Sequence, residues 1–341
     1  MLTLRNYLTH TISATLVCIL LCMVAGCEKA LQLKEPSTYP TAVFDELWTE
    51  MDQHYSLFPY KGVDWDSART QFRSRIHDDM TKTTLFNVLA DMLATLKDGH
   101  ITLISDVDTF TYLDFYTSYP LNFNYKNVVN NYLQNEYSAS GPIIYKIQSG
   151  TGYLYYKSFA DNSTDQQIDK VLTDMAQTKG LIIDVRSNTG GLSQNADRLF
   201  QRFATEKTLV KYEMGKNAPA HTAFQDPQPY YLSPAGQHYS NPVVVLTNRA
   251  CFSACNDFVL YMSQLPNVKL FGDQTGGGGG IPKNYILSNG WILQYTSTVT
   301  LSPSRQPVEG GIQPTVNVGI SSLDEANGKD PILEAAFQSL Q

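Results

Sequence analysis

Residues 181–191 read Leu181-Ile182-Ile183-Asp184-Val185-Arg186-Ser187-Asn188-Thr189-Gly190-Gly191. A short apolar run ends in a polar turn and two glycines. A run this short and without alternation reads as a strand buried on both faces, the kind found in parallel sheets covered by helices. The flanking sequence agrees. Upstream, Gly152–Tyr156 is strand-like, and residues 164–178 place Ile168, Val171, Leu172 and Met175 on one helical face. Downstream, residues 192–204 are helical, Val243–Leu246 is a second buried strand, and residues 253–264 form the next helix. Apolar runs alternating with amphipathic helices predict an α/β core with mostly parallel strands.

Toward the N-terminus the pattern is helical. Val43, Phe44, Leu47, Trp48 and Met51 share one face, and Leu85, Val88, Leu89, Met92, Leu93 and Leu96 form a stronger stripe. Thr83 or Thr84 is the expected N-cap of the second helix, and Gly99 the left-handed residue after it. Ile101–Ile104 then reads as a strand, so His100 sits at a helix-to-strand junction. Residues 105–150 are aromatic, polar and poorly periodic. The expected organisation is a tether over 27–40, a helical N-terminal subdomain carrying the histidine over 41–104, a connecting strand and loop region over 105–150, and the core over 151–341.

The first 26 residues read as a leader. Arg5 is the only charged residue before Glu28, and an apolar stretch of 14 residues runs from Ile12 to Ala25. That is the length of a signal-peptide core, whereas a membrane span takes about 20 residues. The stretch ends in Val24-Ala25-Gly26-Cys27, which resembles a bacterial lipobox. The resemblance implies cleavage before Cys27 and acylation of that cysteine, hence a cell-envelope protein held to a membrane by lipid. More than one acyl chain makes such an anchor stable. The alternative is an ordinary secretory signal with Cys27 as a bystander.

Removing residues 1–26 takes away one arginine and no acid, so the charge goes from −7 to −8. An acidic chain with no basic run argues against nucleic acid as a partner. Hydrophobic content of 43% supports a packed globular core. The cysteines that follow the leader are Cys27, Cys251 and Cys255, too few for a disulfide framework. Cys251 and Cys255 are either small core residues or a local disulfide. No spacing of ligating residues suggests a metal, and no cofactor motif appears. Gly276–Gly280 lacks the Lys-Ser/Thr ending of a phosphate loop.

Three elements could carry chemistry. The turn at Gly190-Gly191 can present N–H groups to an oxyanion, or it can simply be a tight strand-to-helix connection. Asp184 and Arg186 beside it read as structural. In Asn248–Cys255, Ser253 opens a helix, as a cap or as a nucleophile facing helix N–H donors such as that of Ala254. In Lys97-Asp98-Gly99-His100, the histidine is a surface or capping residue, or the base that a serine requires.

Together the elements resemble the tail-specific, or C-terminal processing, peptidases of family S41, most closely their tricorn-like branch. The resemblance rests on Leu96–Thr102, Ile183–Gly191, Asn248–Asp257 around Phe252-Ser253-Ala254, Gly272–Gly277, and Val308–Pro314, in that order. It implies a crotonase-like β/α spiral core with a helical N-terminal unit and no room for an inserted PDZ domain. It implies a serine peptidase acting on peptide or protein substrates, with Ser253 as nucleophile, His100 as base and Glu309 orienting the imidazole. Gly190, Gly191 and Ala254 would form the oxyanion hole. The processing peptidases use a Ser–Lys dyad, but their lysine position is Gly278 here, and Lys283 lies beyond Pro282. The tricorn-type serine before the histidine is Gly99 in this chain. Cys255 and Asn256 stand near the position of an acid that follows the serine in the processing peptidases. A non-catalytic peptide- or ligand-binding module on the same fold is the alternative. An acyl-CoA enzyme of the wider crotonase class is disfavoured by an export signal. The substrate, the membrane face and the oligomeric state are not legible.

Overall fold

The computed structural model describes residues 38–341. The leader, Cys27 and nearly all of the expected tether lie outside the described residues. The chain opens with helices α1 (Pro40–His54), α2 (Phe58–Lys61), α3 (Trp65–Arg73) and α4 (Lys82–Ala94). Strands β1 (Thr102–Ile104) and β2 (Thr109–Thr111) follow, then the single-turn α5 (Asp114–Thr117). Next come β3 (Ser138–Ser140), β4 (Ile143–Gln148), β5 (Thr151–Tyr156), α6 (Asp165–Asp174), β6 (Gly180–Asp184) and α7 (Ser193–Gln201). Then follow β7 (Thr208–Gly215), β8 (Gln228–Leu232), β9 (Val243–Thr247), α8 (Ala254–Met262) and β10 (Val268–Gly272). The chain ends with β11 (Pro282–Ile286), β12 (Ile292–Thr296), β13 (Thr298–Leu301), β14 (Val316–Asn317) and α9 (Pro331–Ser339).

The fold is mixed α/β around a large mixed sheet. Seven strands lie in the order β14-β10-β9-β6-β5-β4-β3. The run from β14 to β5 is parallel, and β4 and β3 extend it antiparallel. Successive side chains of a strand point to opposite faces, so neighbours in β6 and β9 feed two different cores. Ile183 and Val245 pack with Ile168, Leu199 and Phe258 of α6, α7 and α8. Ile182 and Val244 pack with Ile332 and Leu333 of α9. Burial of each such side chain stabilises by about 1.5–3 kcal/mol.

A third core joins the N-terminal helices to the late strands, with Phe44, Leu47, Leu89 and Leu93 against Leu293, Tyr295 and Val299. Pairing of Leu103 in β1 with Leu293 in β12 stitches the two together. The helical unit therefore shares its core with residues far along the chain. The region 105–150 contributes β3 and β4 to the main sheet.

Two local expectations are corrected. Thr81 caps α4, its hydroxyl accepting from the Thr84 N–H at 3.2 Å, because the helix begins earlier than its apolar stripe. Lys97, not Gly99, takes the positive φ after that helix. Strands β6 and β9 end side by side, with Asp184 opposite Leu246. The loops after both thus open at the carboxyl ends of the parallel strands, where open α/β folds place their sites.

Candidate active site

Ser253 directly precedes α8, the position where a cap is expected. It does not act as one. Its backbone is at φ 56°, ψ −124°, and its side chain makes no capping hydrogen bond. A non-glycine residue in this region costs about 1–3 kcal/mol and persists only when its surroundings hold it there. The Ser253 N–H donates to the Gly277 carbonyl at 2.9 Å, and Oγ lies 2.9 Å from Nε2 of His100. The two residues are 153 positions apart in sequence.

His100 is buried, at 6% exposure. Burial pulls its pKa below the ordinary imidazole value, against the raising effect of Asp98 and Asp257. The ring is therefore neutral at neutral pH, the form that can accept a proton. With Nε2 accepting from Ser253, Nδ1 carries the ring N–H, and no acceptor reaches it among the described residues. Asp98, fully buried, holds His100 through the backbone. Its Oδ1 accepts the His100 N–H at 2.8 Å and its Oδ2 accepts the Thr296 hydroxyl at 2.7 Å.

Glu309 makes no hydrogen bond to the imidazole. Its Oε1 accepts from Lys61 Nζ at 2.6 Å, and its Oε2 from the Gly279 N–H at 3.0 Å. Burial raises its pKa to about 7, with Asp98 adding to the rise and Lys61 opposing it. Lys61 also donates to the Lys97 carbonyl at 2.9 Å, tying the end of α2 to the histidine loop.

The candidate oxyanion donors are not equivalent. The Gly190 N–H donates to Asn188 Oδ1 at 3.0 Å and is occupied. Ala254 is the first residue of α8, so its N–H has no intrahelical acceptor. Gly191 shares a bridge with Phe159 at the same turn.

The departures from the family pattern have steric causes. A first side-chain carbon at Gly99 would lie 2.6 Å from the Phe115 ring and 2.7 Å from that of Phe252. Those rings stack at 4.3 Å, filling the place a serine would take. A side chain at Gly278 would run into Phe252, so no lysine fits there. Lys283 lies over the Tyr295 ring and 3.9 Å from Glu50. Asn256 turns inward and accepts the Thr275 hydroxyl at 2.6 Å. Cys251 and Cys255 are free, buried thiols, so they are core residues and not a disulfide. Arg186 joins Asp184 at 2.7 Å and Asp330 at 3.0 Å, all inside the protein. Among the described residues no group of three or more His, Cys, Asp or Glu is arranged to hold a metal ion.

Beside the pair runs a cleft of about 480 Å³, bordered by Gly99, Phe115, Phe252, Arg249, Lys61 and Glu309. Sequence reasoning did not single out Lys61, Arg249, Phe115 or Asn188. Asp98 lies inside the motif Leu96–Thr102, and an acid two residues before the histidine was the available signal. Lys61 belongs to no motif and carried none.

Two family models match the chain: Peptidase family S41 over residues 150–318, and the Tricorn protease C1 domain over residues 36–94. A crystal structure of a protein from Parabacteroides merdae, named as a peptidase, is 40% identical and superposes with a TM-score of 0.85. It covers 89% of this chain and 97% of that one. A protein of Staphylococcus aureus named as a CtpA-like serine protease is 25% identical over 186 residues, 54% of this chain. That match spans only 36% of the curated relative. The tricorn protease shares the fold, with a TM-score of 0.59 at 16% identity over 89% of this chain and 36% of its own.

Proposed function

The chain belongs to peptidase family S41, and from that premise we propose that it hydrolyses peptide bonds through an acyl-enzyme formed on Ser253. The observation that carries this reading is the 2.9 Å contact between Ser253 Oγ and His100 Nε2 at a strained turn. A serine used only as a cap would point at helix N–H groups. In the proposed mechanism His100 takes the hydroxyl proton as Oγ attacks the scissile carbonyl. It then returns a proton to the leaving amine, and water repeats the cycle. The N–H groups of Ala254 and Gly191 are the candidate donors to the oxyanion. Loss of one such donor typically costs about 2.7–4 kcal/mol of barrier. Gly190, whose N–H is occupied, shapes the turn. Asp98 fixes the base through its backbone, and its charge favours the imidazolium that forms. Glu309 acts at one remove: it grips Gly279, and the glycine loop in turn holds the Ser253 N–H through Gly277.

The parallel run β5-β6-β9-β10 supports a crotonase-like spiral core; the expectation of no inserted PDZ domain stays part of the proposal on sequence grounds. Lipid attachment through Cys27 at the bacterial cell envelope stays part of the proposal on sequence grounds. Among the described residues no helix is long and apolar enough to cross a membrane.

The test is the intact mass of the mature soluble domain after exposure to a fluorophosphonate, with Ser253→Ala and His100→Ala alongside. One adduct on Ser253, lost in both variants, is expected. An unlabelled, well-folded protein would favour a binding module instead.

A further inference from the structure

Resting on that reading, we infer that Arg249 is a substrate-binding residue that takes a carboxylate in the cleft beside Ser253. Arg249 follows the end of β9, four residues before the serine, and lines the same cleft as Phe252 and Gly99. Its guanidinium is anchored at one end only. Nε donates to Asp273 Oδ2 at 3.2 Å, and the plane lies over the Tyr119 ring at 4.2 Å. The two terminal NH2 groups have no acceptor among the described residues, and the side chain is 22% exposed. A fork held rigid at its base and open at its tip matches a carboxylate, two parallel N–H···O bonds at once. Little side-chain entropy is left to lose on binding.

The pairing of the other charges in the cleft leaves the Arg249 fork as the open donor. The chain is acidic, at −7. The cleft carries Lys61, Lys97 and Arg249 against Asp114, Glu309 and the Asp273 that pairs with Arg249, so it is not acidic like the chain as a whole. Lys61 and Glu309 satisfy each other at 2.6 Å. Lys97 is an exposed point charge. Arg249 is paired with Asp273 through Nε, but its open terminal NH2 groups make it the directional donor of the cleft. Phe115, Tyr119 and Phe252 wall the cleft, and the Tyr119 ring covers one face of the guanidinium and so helps to hold the fork in place. The carboxylate is either an Asp or Glu side chain or the free end of a peptide, chemically one ligand.

The experiment measures binding, so it does not depend on turnover. Ser253→Ala protein is titrated against Ala/Tyr hexapeptides carrying a neutral fluorophore. One ends in a free carboxylate, one in an amide, and a set of amides carries a single Glu or Gln at each position. We expect a carboxylate form to bind about tenfold tighter than its amide or Gln partner. The terminal and side-chain arms identify which carboxylate is read. The preference should shrink as salt rises from about 0.05 to 0.5 M. It should disappear in Ser253→Ala/Arg249→Gln, and Arg249→Lys should restore part of it. Equal binding of acid and neutral peptides by the Ser253→Ala protein overturns the assignment. So does a preference that survives Arg249→Gln. Failure of fluorophosphonate labelling would instead strike the peptidase reading and leave these arms intact.

Discussion

At the residue scale, the proposed base His100 and its neighbour Asp98 should set the pH behaviour. Burial lowers the His100 pKa, and the Asp98 charge opposes that shift by favouring the imidazolium. Activity should rise as His100 loses its proton, with an acid limb below the ordinary imidazole value. Removing the negative charge with Asp98→Asn leaves burial less opposed, so the limb should move to still lower pH. Asp98 also holds the His100 backbone, so kcat should fall roughly ten- to a hundredfold, the scale of a small misplacement of a reacting group. A pH–rate profile of both proteins tests this. An unmoved limb would remove Asp98 from the electrostatics of the base.

At the scale of elements, the histidine loop is fixed by what packs on it. Gly99→Ser would reinstate the tricorn-type side chain, but its first carbon would fall on the Phe115 and Phe252 rings. Overpacking of this kind costs about 1–3 kcal/mol, so the melting temperature should drop. An unchanged melting temperature would mean that Phe115 moves aside freely. Helix α4 leads into that loop and is capped by Thr81. Thr81→Ala should lower stability by about 1 kcal/mol in urea unfolding. Thr83→Ala and Thr84→Ala, within or at the first turn but not the cap, should cost less.

For the molecule as a whole, the buried Asp184–Arg186–Asp330 group ties the end of β6 to α9. Asp330 also accepts the Leu333 N–H at 3.0 Å, capping α9. Removing one member of a buried pair leaves an uncompensated charge, typically at a cost of 3–5 kcal/mol. Asp330→Ala should therefore shift the urea midpoint strongly, though Asp330 belongs to none of the proposed catalytic groups. Loss of only a few tenths of a kcal/mol would mean that Asp184 alone satisfies Arg186.

The α/β class, the buried strands β6 and β9, and the helices α6, α7 and α8 were legible in the sequence. Each follows from local periodicity and from a polar turn ending an apolar run. The motifs around His100, Gly190 and Ser253 were legible for the same local reason. Whether Ser253 is a cap or meets a histidine was not legible from local pattern; only the resemblance paired it with His100, because 153 positions separate the two and the packing of the N-terminal helices on β12 and β13 closes that distance. Tertiary packing also decided that Glu309 faces Lys61 and Gly279, that Gly190 has spent its N–H on Asn188, and that two phenylalanine rings occupy the space beside Gly99. Such choices depend on which buried donors and acceptors find one another, and that is settled by the whole fold and not by any local pattern.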